Sequence, residues 1–238
     1  MGQKKKLKRF AENNLFSNVF QPLYTDLIND DFGLKGNWKQ QFFKNNNPIT
    51  AELGCGKGDY VTALSGLLPL NNYIGIDIKG ARIWKGAKYA EDKAVQNVAF
   101  LRTRIECSPR CFEKNEINEI WITFPDPQLN RKKRIKKRLT SARFLGYYQK
   151  ILINNGIIHV KTDDDDLFAY TKKVIEFNNL TLEKEIRDIY KECPEDKILS
   201  IRTYYETKWL TEGRTIKYLC FRLPDTRDIV EPDTFDED

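Results

Sequence analysis

Short apolar runs, each closed by turn-forming residues, alternate along this chain with longer stretches of helical period. The runs lie at 48–51, 73–78, 97–101, 119–124, 156–162, 180–190 and 216–221. Between them, 61–68, about 79–94, 140–154 and 164–177 carry apolar residues at three- and four-residue spacing, as amphipathic helices do. In 140–154 the stripe is Phe144, Leu145, Tyr148, Ile151 and Leu152, with Thr140 or Ser141 as the cap. The helix over 164–177 opens on Asp163-Asp164-Asp165-Asp166, carboxylates that suit a first helical turn, with Thr162 as its cap. Strand and helix in alternation predict an α/β domain with a parallel sheet and helices on both faces. The last two runs are joined by a short connection, which suits an antiparallel edge pair. The expectation is seven strands, mostly parallel, with one antiparallel edge strand.

Outside this alternation, Phe32, Trp38, Phe42 and Phe43 predict a helical or irregular segment packed over the first strand. The organisation expected is a basic arm with a helical extension over 1–47, a catalytic domain over 48–223 and an acidic tail over 224–238. The arm is read as flexible, and the tail as disordered or docked on basic surface.

Charge sharpens this picture. The chain of 238 residues has a net charge of +6. Residues 224–238 hold seven acids and one arginine, a local −6, so residues 1–223 carry +12. A body that basic suits a polyanion, or is a solubility surface. The five cysteines are scattered, only Cys107 and Cys111 lie close, and His159 is the one histidine. No metal site is expected, and a reduced cytoplasmic setting is. His159, bracketed by Ile158 and Val160, reads as a satisfied strand residue. No apolar run approaches membrane-spanning length and the basic N-terminus lacks a signal peptide's apolar stretch, so no membrane association is expected.

The chemistry concentrates after the first run, in Glu52-Leu53-Gly54-Cys55-Gly56-Lys57-Gly58. A glycine-rich turn between strand and helix lets backbone approach a ligand without Cβ clashes. Its Gly-x-Gly-x-Gly spacing is neither the dinucleotide fingerprint nor a P-loop. Glu52 would repel a pyrophosphate but suits a cation, and S-adenosylmethionine is cationic at sulfur and at its amino group. Asp77 follows Gly56 by 21 residues, at the end of the second run, where an acid accepts from ribose hydroxyls in doubly wound folds. Arg102 to Ile105 end the third run, where an adenine would lie. The plainer alternatives are a turn glycine cluster and an aspartate capping the next helix.

The fourth run ends on Phe124-Pro125-Asp126-Pro127. Two prolines stiffen the turn and present Asp126 from a fixed tip; a simple turn aspartate is the alternative. Residues 130–138 then carry seven basic residues in nine, a solvated face or a phosphate contact beside the tip. Asp163, at the end of the fifth run, is the member of its acidic quartet best placed to reach a substrate.

Together, Glu52 to Gly58, Ile76-Asp77, Phe124 to Pro127 with the basic run, Lys161-Thr162-Asp163 and Thr203-x-Tyr205-Glu206 resemble the bacterial tRNA (guanine-N7)-methyltransferases. The resemblance covers about 48–222. It implies a Rossmann-like class I fold and transfer of a methyl group from S-adenosylmethionine to N7 of a variable-loop guanine in tRNA. It implies Glu52, Gly54, Gly56, Asp77, Arg104, Ile105 and Asp126 at the cofactor, and Asp126 at the methyl-transfer centre. Asn130, Asp163, Thr203, Tyr204, Tyr205 and Glu206 would hold the substrate. Asn130 stands where the family usually has lysine; Arg131 or Lys132 are the replacements. Arg104 stands where it often has an acid, which leaves backbone donation to the cofactor there. A methyltransferase for another RNA, protein or small molecule, a non-catalytic RNA-binding protein, and more distantly a nicotinamide oxidoreductase stay open, as do monomer and homodimer.

Overall fold

The computed structural model of the protein describes residues 3–30, 32–128 and 132–232. In these residues the strands are β1 (Val19–Phe20), β2 (Ile49–Leu53), β3 (Asn72–Ile76), β4 (Val98–Leu101), β5 (Ile117–Thr123), β6 (Leu152–Thr162), β7 (Leu182–Ile186) and β8 (Lys217–Leu223). The helices are α1 (Gln3–Asn13), α2 (Tyr24–Ile28), α3 (Asp59–Leu67), α4 (Gly80–Asp92), α5 (Ser108–Cys111), α6 (Ala142–Tyr148), α7 (Asp165–Phe177), α8 (Ile189–Glu192) and α9 (Tyr204–Thr211). Every residue of β2, β3 and β4 is buried, which is why these runs read as continuous rather than alternating: they are interior strands covered on both faces.

The strands form one sheet in the order β1-β4-β3-β2-β5-β6-β8-β7. All neighbours are parallel except β8, which runs antiparallel to both β6 and β7. The fold is the class I methyltransferase fold. It has an eighth strand because two residues, Val19 and Phe20, pair with Phe100 and Leu101 beyond the expected edge. The antiparallel strand sits one place in from the other edge, with β7 outermost.

The core lies in two layers. On one face α3 and α4 pack Tyr60, Val61, Leu64, Ile83 and Ala87 against Tyr73, Phe100 and Trp121. On the other, Phe144, Leu145 and Tyr148 of α6 and Leu167, Phe168 and Val174 of α7 cover Leu53, Ile122 and Val160. Trp38, in a π-helical turn over Trp38–Phe43, is fully buried, stacks on Phe112 and donates to the Cys111 carbonyl at 3.0 Å.

Three local expectations need correction. The arm is not a free coil: α1 packs on α4, with Arg9 over Trp84 at 4.3 Å and the Asn13 amide donating to the Gly80 carbonyl at 2.9 Å. The helix expected over 140–154 ends at Tyr148, and β6 begins at Leu152, so Ile151 and Leu152 are buried outside it. Asp164, not Thr162, caps α7, accepting from the Leu167 amide at 2.7 Å; Thr162 accepts instead from the Asp164 amide. The tail, expected as disordered or docked, is docked as far as Pro232: Glu231 accepts from the Ala142 amide at 3.0 Å and from the Tyr170 hydroxyl, and Arg227 donates to the Asn178 and Asn179 carbonyls. Glu231 thereby satisfies the start of α6, for which Ser141 supplies no side-chain cap.

Candidate active site at the carboxyl edge of the sheet

Strand order determines what meets at the site. The chain runs outward from β2 to β3 and β4, then returns to place β5 on the opposite side of β2. That reversal is the topological switch point, where open α/β sheets bind ligands beyond their carboxyl ends. Along that edge the order β4-β3-β2-β5-β6 sets side by side residues 102–105, Asp77, the glycine turn, Asp126 and Asp163.

The glycine turn is built for close approach. Gly54, Gly56 and Gly58 have φ of +75°, +57° and +72°, a region costly for residues with a Cβ. A Cβ on Gly58 would lie 2.6 Å from the Phe100 ring, and one on Gly86 of α4 would lie 2.7 Å from the same ring and 2.8 Å from the Lys57 carbonyl. Two glycines on Phe100 thus let α4 close against the turn, a contact that only the folded chain reveals.

The acids differ sharply in setting. Asp77 accepts from the Gly56 amide at 2.9 Å and from the Lys79 amide at 2.7 Å, one on each oxygen. It braces the turn and the backbone leading into α4, whose first residues have no side-chain cap, and each oxygen retains a lone pair for a further donor. Glu52 is 2 % exposed beneath the turn, accepting from the Thr123 hydroxyl at 2.7 Å and the Val61 amide at 3.0 Å. Burial pushes its carboxyl up to about 8 despite those two bonds. Asp126 is exposed and accepts from the Gln128 amide at 2.9 Å. The backbone at its tip is strained, with Phe124 at φ +50° and Gln128 at +54°. Asp163 is paired with Arg214 at 2.7 Å, and its carbonyl accepts from Lys217.

Beyond Asp77 lies a recess of about 590 Å³ lined by Ile78, Arg102, Thr103, Arg104, Cys107 and residues 21–24 and 27. Ile78 is 50 % exposed there and joins Leu23, Tyr24 and Leu27 as apolar surface of the recess. These residues fit an adenosine: a carboxylate with free lone pairs for a ribose, apolar surface for a purine, and glycine backbone for the attached chain.

Comparison with known proteins agrees with that geometry. A family described as "Putative methyltransferase" matches residues 46–219. The chain is 47 % identical to a tRNA (guanine-N(7)-)-methyltransferase of Bacteroides fragilis, over 97 % of this chain and 90 % of the relative. It is 49 % identical to one of Porphyromonas gingivalis, over 92 % and 93 %. The chain belongs to the tRNA (guanine-N(7)-)-methyltransferase family. Among solved structures, the 16S rRNA methyltransferase KamB superposes with a TM-score of 0.59 at 12 % identity, over 78 % of this chain and 92 % of that one, a likeness of fold.

Within this methyltransferase the Thr203–Glu206 motif is the start of α9. Thr203 caps the helix, accepting from the Glu206 amide at 3.1 Å. Glu206 is fully buried and paired with Lys161 at 3.0 Å, and it accepts from the Tyr190 hydroxyl at 2.9 Å. Lys161 is fully buried too, and its ammonium also donates to the Leu199 and Ile201 carbonyls at 2.7 and 3.1 Å. Tyr204 is 54 % exposed and lies under the Lys57 ammonium, 3.1 Å from its ring centroid. Asn130 and Arg131 lie outside the described residues. Sequence reading overlooked Lys161 as the anchor of this motif; a lysine in an apolar strand run is the signal that could have exposed it. Arg214, the partner of Asp163, carries no local signal.

Proposed function

We propose that this chain methylates N7 of a guanine in tRNA, at the variable-loop position, with S-adenosylmethionine as donor. The observation that carries the reading is Asp126, held exposed on a proline-flanked, strained tip beside the glycine turn, in a chain of this family. Asp77, the glycine turn and the recess lined by Arg104, with Ile105 behind it against the core, are the residues that would hold the cofactor, which supplies an electrophilic methyl group when bound. Guanine N7 has an in-plane lone pair and no proton, so no residue need act as a base at the attacking atom. The work left to the protein is positioning and electrostatics.

Asp126 orients the guanine and offsets the positive charge that develops on the purine. Asp163, on the neighbouring strand tip, accepts from the N1–H and exocyclic amine of the base, its direction fixed by Arg214. Thr203, Tyr204 and Tyr205 line the approach. Glu206 acts from below, holding the start of α9 through Lys161 and Tyr190. Glu52 supports the turn from its floor and shapes the cofactor site without an open face. The basic run after the tip, residues 131–137, carries phosphate contacts, whereas Arg138 is buried and donates to the Pro127 carbonyl at 2.8 Å.

The test is methyl transfer from labelled S-adenosylmethionine into unmodified tRNA transcripts, followed by nucleoside analysis. 7-Methylguanosine is the expected product. Label in another nucleoside would keep the fold and cofactor and overturn the N7 assignment, and tRNA binding with no transfer would overturn the enzymatic reading.

A further inference from the structure

A second depression of about 500 Å³ opens between α3, α4 and α9, lined by Lys57, Asp59, Thr62, Lys85, Gly86, Tyr89, Arg202, Thr203, Tyr204 and Thr207. It shares no lining residue with the recess beside Asp77. Lys57 comes from the glycine turn and Thr203 and Tyr204 from the start of α9, so the depression adjoins the candidate active site.

Its chemistry is cationic and aromatic. Lys57, Lys85 and Arg202 line it with a single carboxylate, Asp59. That carboxylate is already engaged: it accepts from Lys85 at 2.9 Å and from the Tyr204 amide at 3.2 Å. The Lys57 ammonium is held below its ordinary range, first by burial and then by Lys85, Arg82 and Arg9, with Asp59 opposing. Lys57, Lys85, Arg82 and Arg9 repel one another at this range unless an anion sits among them. Beside them stand two half-exposed phenol rings, Tyr89 at 52 % and Tyr204 at 54 %. Phosphate-holding cations next to open aromatic faces are the pairing by which proteins take single-stranded or splayed-out RNA.

We propose that this depression is a second RNA site, which grips the phosphodiester adjoining the target guanine with Lys57, Lys85 and Arg202 and stacks a flanking base on Tyr89 or Tyr204. It deepens, and rests on, the tRNA reading above. The exposed basic residues Arg134, Lys136 and Lys137 precede α6, which lies on one face of the sheet, whereas α3 and α4 lie on the other. The two groups of cations therefore lead to opposite faces of the sheet. A guanine drawn out of a folded tRNA leaves its two neighbouring phosphates spread apart, and a grip on each side offsets the cost of unstacking.

The test uses the full chain with unmodified tRNA. Each phosphate contact contributes about 0.7–0.9 to the slope of log affinity against log salt. Lys85→Gln with Arg202→Gln, which loosens the grip on that one phosphodiester, should therefore lower the slope by up to about 0.7–0.9. The KM for tRNA should rise about tenfold or more at low salt, with the KM for S-adenosylmethionine and kcat little changed. Lys85→Arg with Arg202→Lys should restore both tRNA readouts. Ultraviolet cross-linking of wild-type protein to tRNA should place nucleotide adducts on the peptides holding Tyr89 or Tyr204. Unchanged affinity and slope in the neutralised variant, or adducts confined to the basic run, would overturn this inference while wild-type 7-methylguanosine formation keeps the proposed function. Wild-type protein that neither binds nor methylates tRNA would remove both.

Discussion

Lys161 is the side chain whose loss should cost this protein most. Its ammonium is fully buried and makes bonds to Glu206 and to the Leu199 and Ile201 carbonyls. Burial alone pulls it below its ordinary range, and Glu206 opposes that pull. Lys161→Met keeps much of the volume but leaves a buried carboxylate without its counter-charge and two carbonyls without a donor. Removing one partner of a buried ion pair costs about 3–5 kcal/mol. For a chain of this length that is roughly 2 °C of melting temperature per kcal/mol, or roughly 6–10 °C. The loss should be local first, because those bonds tie 199–206 to β6. Amide exchange in 196–211 should quicken in Lys161→Met before the rest of the sheet is affected. Glu206→Gln combined with Lys161→Met removes both charges and should recover about 2 kcal/mol or more of the loss, a coupling that a double-mutant cycle reads directly. Calorimetry and urea unfolding measure the first effect, exchange mass spectrometry the second. A melting temperature within about 2 °C of wild type, or exchange that rises uniformly, would refute the reasoning.

Three further outcomes follow from the site. Because the folded carboxyl of Glu52 lies near 8 and an exposed glutamate near 4.5, the native state holds the extra proton between those values. Stability should therefore fall as pH rises from about 5 to 8. Glu52→Gln should flatten that slope by a few kcal/mol in urea unfolding followed against pH; an unchanged slope would show that Glu52 is ionised in the fold. Asp126→Ala should abolish turnover while leaving S-adenosylmethionine affinity, measured by calorimetric titration, within about threefold; loss of that affinity would assign Asp126 to the cofactor instead. Gly58→Ala imposes a Cβ on a residue at φ +72° and 2.6 Å from the Phe100 ring, so it should destabilise by about 2–4 kcal/mol and weaken cofactor binding, and a variant as stable as wild type would mean that the turn relaxes freely.

Much of this architecture is fixed by local chemistry. Strand-length apolar runs, helical-period segments and the turns between them dictate an α/β sheet, because each element must bury its own apolar face. The glycine spacing and the acid 21 residues beyond it announce a ligand turn through short-range geometry alone. Proline on either side of Asp126 presents that carboxylate in any fold that ends a strand there. What the tertiary structure decided is which of these groups stay open. Glu52 and Glu206 look alike in sequence to Asp77 and Asp163. Yet Thr123 and Val61 close over the first, and Lys161 and Tyr190 over the second. Those partners lie up to 71 residues away, a separation at which sequence carries no distance information. Phe100 beneath Gly58 and Gly86, Glu231 at the start of α6 and Arg214 on Asp163 are of the same kind. A local pattern specifies the element a residue joins; burial and pairing depend on which distant surface packs against it, and only the closed chain determines that.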